Sequence, residues 1–211
     1  MPSFGQQLDT LERWRRLPGL ERLDPGRPDV ALTFDDGPDP DCTPLVLDVL
    51  ERAGARATFF LVGEQVEAHP RLAAEIRARG HAVGVHGHRH MEQDQLDDPE
   101  ADLRRALELV GESGLYRPPY GRSSPRTHEA ARALDLEPVY WSAWGGDWEP
   151  VPAERIADLV IRDLAPGAIV LLHDSARYAY RPSAAPTAAA LPAILAAAGE
   201  RGLSFVPLGR D

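Results

Sequence analysis

Lysine is missing from this chain of 211 residues: all 23 basic residues are arginine, so every mechanism that needs a lysine is excluded. Cysteine is nearly missing. The single Cys42 cannot form an internal disulfide, and the fold must stand without a covalent staple. No apolar run is long enough for a signal peptide or a membrane-spanning helix, and residues 1–20 are polar and amphipathic, with Arg13, Arg15 and Arg16. As written, the chain reads as cytoplasmic, with a secreted or periplasmic place open to a longer form of it, and no membrane span is expected. Positive charge is in deficit. The net charge of −10 repels nucleic acid and anionic membrane surfaces, so a neutral or cationic substrate is expected.

What is present suffices for one compact domain with one large core. From Val30 onward, short β-branched or aromatic runs alternate with longer amphipathic stretches, a βαβα rhythm that implies a parallel sheet with crossover helices. Strands are predicted over 30–34, 57–62, 82–85, 115–117, 138–142, 168–172 and 204–207. Helices are predicted over 44–53, 64–79, 99–112, 125–134, 153–164 and 186–200, several opened by a proline in the first turn. Seven βα units predict an α/β fold, a distorted seven-stranded (β/α) barrel, TIM-barrel-like, over residues 30–211. Residues 1–29 read as an N-terminal helical segment packing on that barrel, and the proline-rich stretch 183–190 as a loop entering the last helix.

The residues that packing does not need fall just after predicted strands: Asp35, Asp36, His86, His90, Arg117, Tyr120, Asp147 and His173. In a parallel barrel the C-terminal strand ends converge on one rim, so groups spread over about 140 positions meet in one place. Thr33-Phe34-Asp35-Asp36-Gly37-Pro38 sets two carboxylates where a strand stops. Neighbours there point different ways, so one can bind a metal while the other stays free as a base; the blander reading is a solvated turn with an aspartate capping the next helix.

In His86-Gly87-His88-Arg89-His90 the outer histidines are four apart, the spacing of one face of a helical turn, with His88 pointing away. Two histidines and one carboxylate make a facial set for a divalent ion. In Arg117-Pro118-Pro119-Tyr120 the prolines offer no N–H, which leaves the Tyr120 amide as a candidate oxyanion donor and Arg117 to pair with a carboxylate; a rigid turn is the alternative. His173 ends the apolar run Leu171-Leu172-His173-Asp174, where a lone histidine serves packing as readily as catalysis.

Together and in order, these segments resemble the motifs of the polysaccharide deacetylases, the NodB-homology domain of carbohydrate esterase family 4, from residue 33 to residue 174. The resemblance implies a deacetylase domain over 30–211, with Asp35 as base and Asp36, His86 and His90 as metal ligands. Arg117 and Tyr120 fall on its third motif and Leu171 and His173 on its fifth, with Leu171 lining an acetyl-methyl pocket and His173 as the acid. The implied cofactor is a divalent metal, zinc first, with cobalt, nickel or manganese as alternatives. The implied partner is an N-acetylated carbohydrate, chitin-like or peptidoglycan-like, from which acetate is released; no oligomeric state is implied.

Two departures stand out. The family has serine or threonine after the first histidine, where this chain has Gly87. Its fourth motif has an aspartate three residues before an Asp-Trp pair, where this chain has Trp144 and keeps only Asp147 and Trp148. The acidic residue of that motif holds the catalytic histidine, so its loss either weakens the acid or passes the role to Asp147. Trp144 and Trp148 form either an aromatic platform for a sugar ring or packing over the barrel mouth. The competing readings are a hydrolase of another amide or an O-acetyl ester, a barrel amidohydrolase using His86 and His88, and a catalytically impaired sugar-binding relative. Many such amidohydrolases bridge two metals through a modified lysine, which this chain lacks. Retention of Asp35, Arg117, Tyr120 and His173 argues against the impaired relative.

Overall fold

Strand β1 (Asp29–Asp35) carries a continuous run, Val30-Ala31-Leu32-Thr33-Phe34, that is wholly buried, as befits the middle of a parallel sheet covered on both faces. In the computed structural model, which describes residues 17–209, β1 pairs in parallel with β2 (Thr58–Leu61) on one side and β7 (Ile169–His173) on the other. Beyond β2 come β3 (Ala82–Val85), β4 (Leu115–Tyr116) and β5 (Glu137–Pro138); beyond β7 comes β6 (Ala143–Trp144). The order is β5-β4-β3-β2-β1-β7-β6, and β8 (Ser204–Phe205) pairs with the start of β1. Every ladder is parallel, as the barrel prediction requires.

Among the described residues, seven α-helices connect these strands: α1 (Thr43–Ala53), α2 (Gly63–Ala68), α3 (Pro70–Ala78), α4 (Pro99–Val110), α5 (Pro125–Ala133), α6 (Ala153–Asp163) and α7 (Ala185–Glu200). Local chemistry sets several of their ends. Asp98 accepts the Ala101 amide at 3.0 Å at the start of α4, and Ser124 accepts that of Thr127 at 3.2 Å at the start of α5. α1 stops at Gly54, whose left-handed φ of 62° lets its amide close back on Glu51 and Leu50. No helix among the described residues is long and apolar enough to cross a membrane.

Four predicted elements differ. The helix expected over 64–79 breaks into α2 and α3 because Pro70 has no amide to donate and pushes His69 out of the helical region, to φ −131° and ψ 55°. The strand expected over 138–142 becomes two short ones, β5 and β6. Between them Val139 pairs with Leu20, and Ser142 donates to Ile169 at 2.9 Å, so the chain bends across the gap in the ladder instead of filling it. The loop expected over 183–190 gives way to helix from Ala185 onward. Of the helical segment expected over 1–29, residues 1–16 lie outside the described residues; residues 17–28 contain no helix, and Leu20 and Leu23 pack into the barrel interior.

The pleat of β1 sorts its side chains between two cores. Val30, Leu32 and Phe34 face the helices with Leu47, Leu50 and Leu191, whereas Ala31 faces the barrel interior with Phe60, Tyr140, Trp141 and Leu171. Each fully buried Leu, Phe or Ile contributes about 1.5–3 kcal/mol, so the rim rests on a stiff frame. Thr33 and Asp35 share the inward parity of Ala31, and β7 repeats it with Ile169, Leu171 and His173. Asp35 and His173 are register partners at the C-terminal ends of adjacent strands.

Candidate active site

Inside the barrel mouth, Asp35 meets a wholly buried arginine. Arg117, just past β4, donates from Nη1 to Asp35 Oδ1 and to Thr33 Oγ1, each at 2.7 Å, and from Nη2 to the Tyr140 carbonyl at 3.0 Å. Its guanidinium lies 4.2 Å above the Phe60 ring. A flat cation fixed by so many acceptors holds Asp35 in one orientation.

Asp36 turns the other way. Its φ of 80° lies in the left-handed region, rare outside glycine, and swings the carboxylate out of the strand direction toward the histidines. Asp36 Oδ1 lies 3.1 Å from His90 Nε2 and 3.4 Å from His86 Nε2, is buried, and makes no hydrogen bond. The three ligand atoms lie within 4.8 Å of one another. The ring hydrogen on His86 Nδ1 goes to the Arg117 carbonyl at 2.7 Å, which leaves the Nε2 lone pair facing Asp36. Burial opposes charge on Asp36, but the two imidazoles facing it outweigh burial and hold its carboxyl well below the usual range. Burial also lowers His90, against the pull of Asp36, and so favours a neutral imidazole. An orphaned carboxylate oxygen facing two imidazole nitrogens fits a divalent cation.

The 86–90 segment is a bend rather than the helical turn its spacing suggested. Gly87 takes a φ of 76°, and this bend, not a helix face, brings His86 and His90 together with their rings 5.0 Å apart. His88 leaves the group: its ring packs against the Gly63 backbone, where an added Cβ would sit 2.6 Å from Nδ1.

Across the cleft stands His173. Its Nδ1 is 2.8 Å from Asp147 Oδ1, and its amide donates to Asp147 Oδ2 at 2.9 Å. Asp147 in turn accepts from Thr187 Oγ1 at 2.7 Å and lies 3.4 Å from Arg181. Burial opposes the imidazolium, yet the charge and hydrogen bond of Asp147, with Asp36 and Asp35 beyond, raise His173 to about 9. Tyr120 also has a left-handed backbone (φ 59°, ψ 10°), set after the two prolines, and its ring stands edge-on to His90 at 4.5 Å.

These groups open into a cleft of about 260 Å³ walled by Trp141, Trp148, Leu171 and Tyr120, with Asp35, Asp36, His86, His90 and His173 at its base. Trp148 reaches the wall, and Trp144 lies edge to face with it at 5.7 Å. Sequence reasoning missed Tyr178 and Tyr180. Tyr178 stacks on His90 at 4.1 Å and takes a hydrogen bond from Gln65, and the exposed Tyr180 lines the cleft. Arg181 and Thr187, which brace Asp147, were missed as well. All four sit on the β7–α7 connection or the first turn of α7, where no spacing marks them.

A family model described as polysaccharide deacetylase matches residues 22–139. A peptidoglycan-N-acetylglucosamine deacetylase of Bacillus cereus is 35% identical over 186 residues, covering 84% of each chain. A chitooligosaccharide deacetylase of Azorhizobium caulinodans is 31% identical over 201 residues, covering 89% of this chain and 96% of the relative. Among solved structures, the Bc1960 peptidoglycan N-acetylglucosamine deacetylase in complex with 4-naphthalen-1-yl-N-oxidanyl-benzamide superposes with a TM-score of 0.83 at 28% identity, over 96% of this chain and 94% of that one. Agreement of sequence over most of both lengths, of shape, and of strand-end motifs has one reading: this chain belongs to the polysaccharide deacetylase family.

Proposed function

We propose that this chain hydrolyses the N-acetyl group of an N-acetylated sugar or oligosaccharide, chitin-like or peptidoglycan-like, to acetate and a free amine. The observation that carries the reading is the division of labour between neighbours: Asp36 faces His86 and His90, while Asp35 faces Arg117 and lies in register with His173. The substrate class rests on the names of two relatives, a peptidoglycan-N-acetylglucosamine deacetylase and a chitooligosaccharide deacetylase.

Asp36, His86 and His90 would hold a divalent ion, zinc first, with cobalt, nickel or manganese as alternatives; such an ion lowers the pKa of water and polarises an amide carbonyl. Asp35, clamped through Oδ1 by Arg117, turns Oδ2 to within 3.9 Å of His86 Nε2, beside the ligand set, and takes a proton from the attacking water. The water oxygen bonds to the carbonyl carbon, and the Tyr120 amide donates to the oxyanion that develops. His173, with Nδ1–H held by Asp147, passes its Nε2 proton to the nitrogen as the C–N bond breaks. Leu171 faces the acetyl methyl, and Trp148, backed by Trp144, with Tyr120 flanks the sugar.

Loss of a ligand tests this assignment. Asp36→Ala and His86→Ala should each lose stoichiometric metal and activity together; a variant that keeps both refutes the ligand set.

A further inference from the structure

Two of the three proposed ligands sit on the 86–90 bend, which has no secondary structure of its own to fix it. Its carbonyls are held by the start of α2: Gly63 N–H donates to Gly87 O and Glu64 N–H to His88 O, each at 2.9 Å. Two of its amides, those of His88 and Arg89, face the opposite way, onto Asp102 in the first turn of α4. Asp102 Oδ2 accepts the His88 amide at 2.9 Å and Gln93 Nε2 at 3.2 Å, and Oδ1 accepts the Arg89 amide at 3.4 Å. Acidic residues in a first helical turn ordinarily sit in water beside the helix dipole. The Asp102 side chain is only 2% exposed, and Gln93 is as deeply buried. Withdrawing a carboxylate from water is costly unless donors replace the water; here two of its three hydrogen bonds, and the Arg89 guanidinium 3.6 Å from Oδ1, come from that one loop.

Gly87 completes the arrangement. A Cβ at this position would lie 3.1 Å from Gln93 Nε2 and 3.4 Å from Asp102 Oδ2, on a backbone that L side chains rarely adopt. The space that a side chain at residue 87 would enter is already occupied by Asp102 and Gln93.

We propose that Asp102, assisted by Gln93, is a positioning residue for metal binding: it fixes the 86–90 bend through the His88 and Arg89 amides and thereby sets the distance of His86 and His90 from Asp36. It takes over the steadying of a loop in which the family pattern places a hydroxyl at residue 87. The inference rests on Asp36, His86 and His90 being the ligands.

The test is zinc affinity of the metal-free protein, measured against a chromophoric chelator, together with hydrogen exchange at the His88 and Arg89 amides without metal. Asp102→Ala should bind zinc roughly 10- to 100-fold more weakly, with both amides exchanging faster, while far-UV circular dichroism matches wild type. Asp102→Asn, whose amide oxygen can take the place of Oδ2 but whose Nδ2 cannot accept the Arg89 amide, should fall between wild type and Asp102→Ala. If Asp102→Ala does not fold, Asp102→Ser and Gln93→Ala carry the same expectation. A folded Asp102→Ala or Asp102→Ser that binds zinc as tightly as wild type overturns the inference. Should wild type bind zinc no better than Asp36→Ala, the ligand reading falls, and this one with it.

Discussion

At His173 two opposing effects meet. Burial disfavours the imidazolium, and Asp147, wholly buried and bonded to both the ring and the amide of His173, more than restores it. The Asp147 carboxyl is itself held below its usual range: burial raises it, but His173, Arg181 and Thr187 outweigh burial. Trp144 stands where the family has an aspartate, yet the histidine is not left unsupported, because Asp147 supplies the contact directly. A general acid must be protonated, so turnover should fall as pH rises through the His173 pKa. Asp147→Asn removes the charge that raises it. This variant should move the alkaline limb of the kcat profile to lower pH and lower kcat about 100-fold or more, with bound metal unchanged. An unshifted limb would remove Asp147 from this role. The sequence left His173 open between packing and catalysis, because nothing within a few residues of it names a partner; the partner lies 26 residues upstream on another strand end.

Among the elements, the β2–β3 layer shows what hydrophobic pattern reveals and what it hides. The strands were legible from their apolar runs, and β3 falls at 82–85 as predicted. The 86–90 bend was not legible as a bend, because a four-residue histidine spacing suits a helix face equally well and only the left-handed Gly87 decides between them. The split of the fifth strand was hidden too, since Val139-Tyr140-Trp141 has the composition of a strand although it packs as a crossing segment inside the barrel.

His81, just before β3, is a titration point of this layer. Its Nδ1 accepts the Ala57 amide at the entrance to β2 at 3.2 Å, a bond that needs an unprotonated nitrogen. Burial, with Arg79 and Arg56, lowers it from 6.5 to about 4. The unfolded chain therefore takes up a proton at His81 below about 6.5 while the folded chain resists until about 4, so this contribution to stability is full above 6.5 and is lost as pH falls through that window. His81→Asn keeps an acceptor near Nδ1 without titrating. Urea unfolding from pH 7 down to 4.5 should show a shallower loss of stability in the variant than in wild type; equal slopes would contradict the assignment.

On the scale of the whole molecule, parallel strands do the gathering. Every strand points its C-terminal end at one rim, so Asp35, His86 and His173, far apart in sequence, line one cleft, with Arg117 wholly buried behind Asp35, while Leu20 and Leu23 pack within the barrel interior. That convergence was legible from the positions of the polar residues alone, because each follows a hydrophobic run. Tyr178 and Tyr180 were not, because they lie in the longer β7–α7 connection and reach the cleft only through tertiary packing against His90 and Trp148. Metal-dependent deacetylation is tested most directly by acetate release from N-acetylglucosamine oligomers by protein stripped with a chelator, measured before and after zinc or cobalt is restored. Release that vanishes on stripping and returns with the metal is the predicted result; release indifferent to the metal, or bound metal with no release from these sugars, would contradict it.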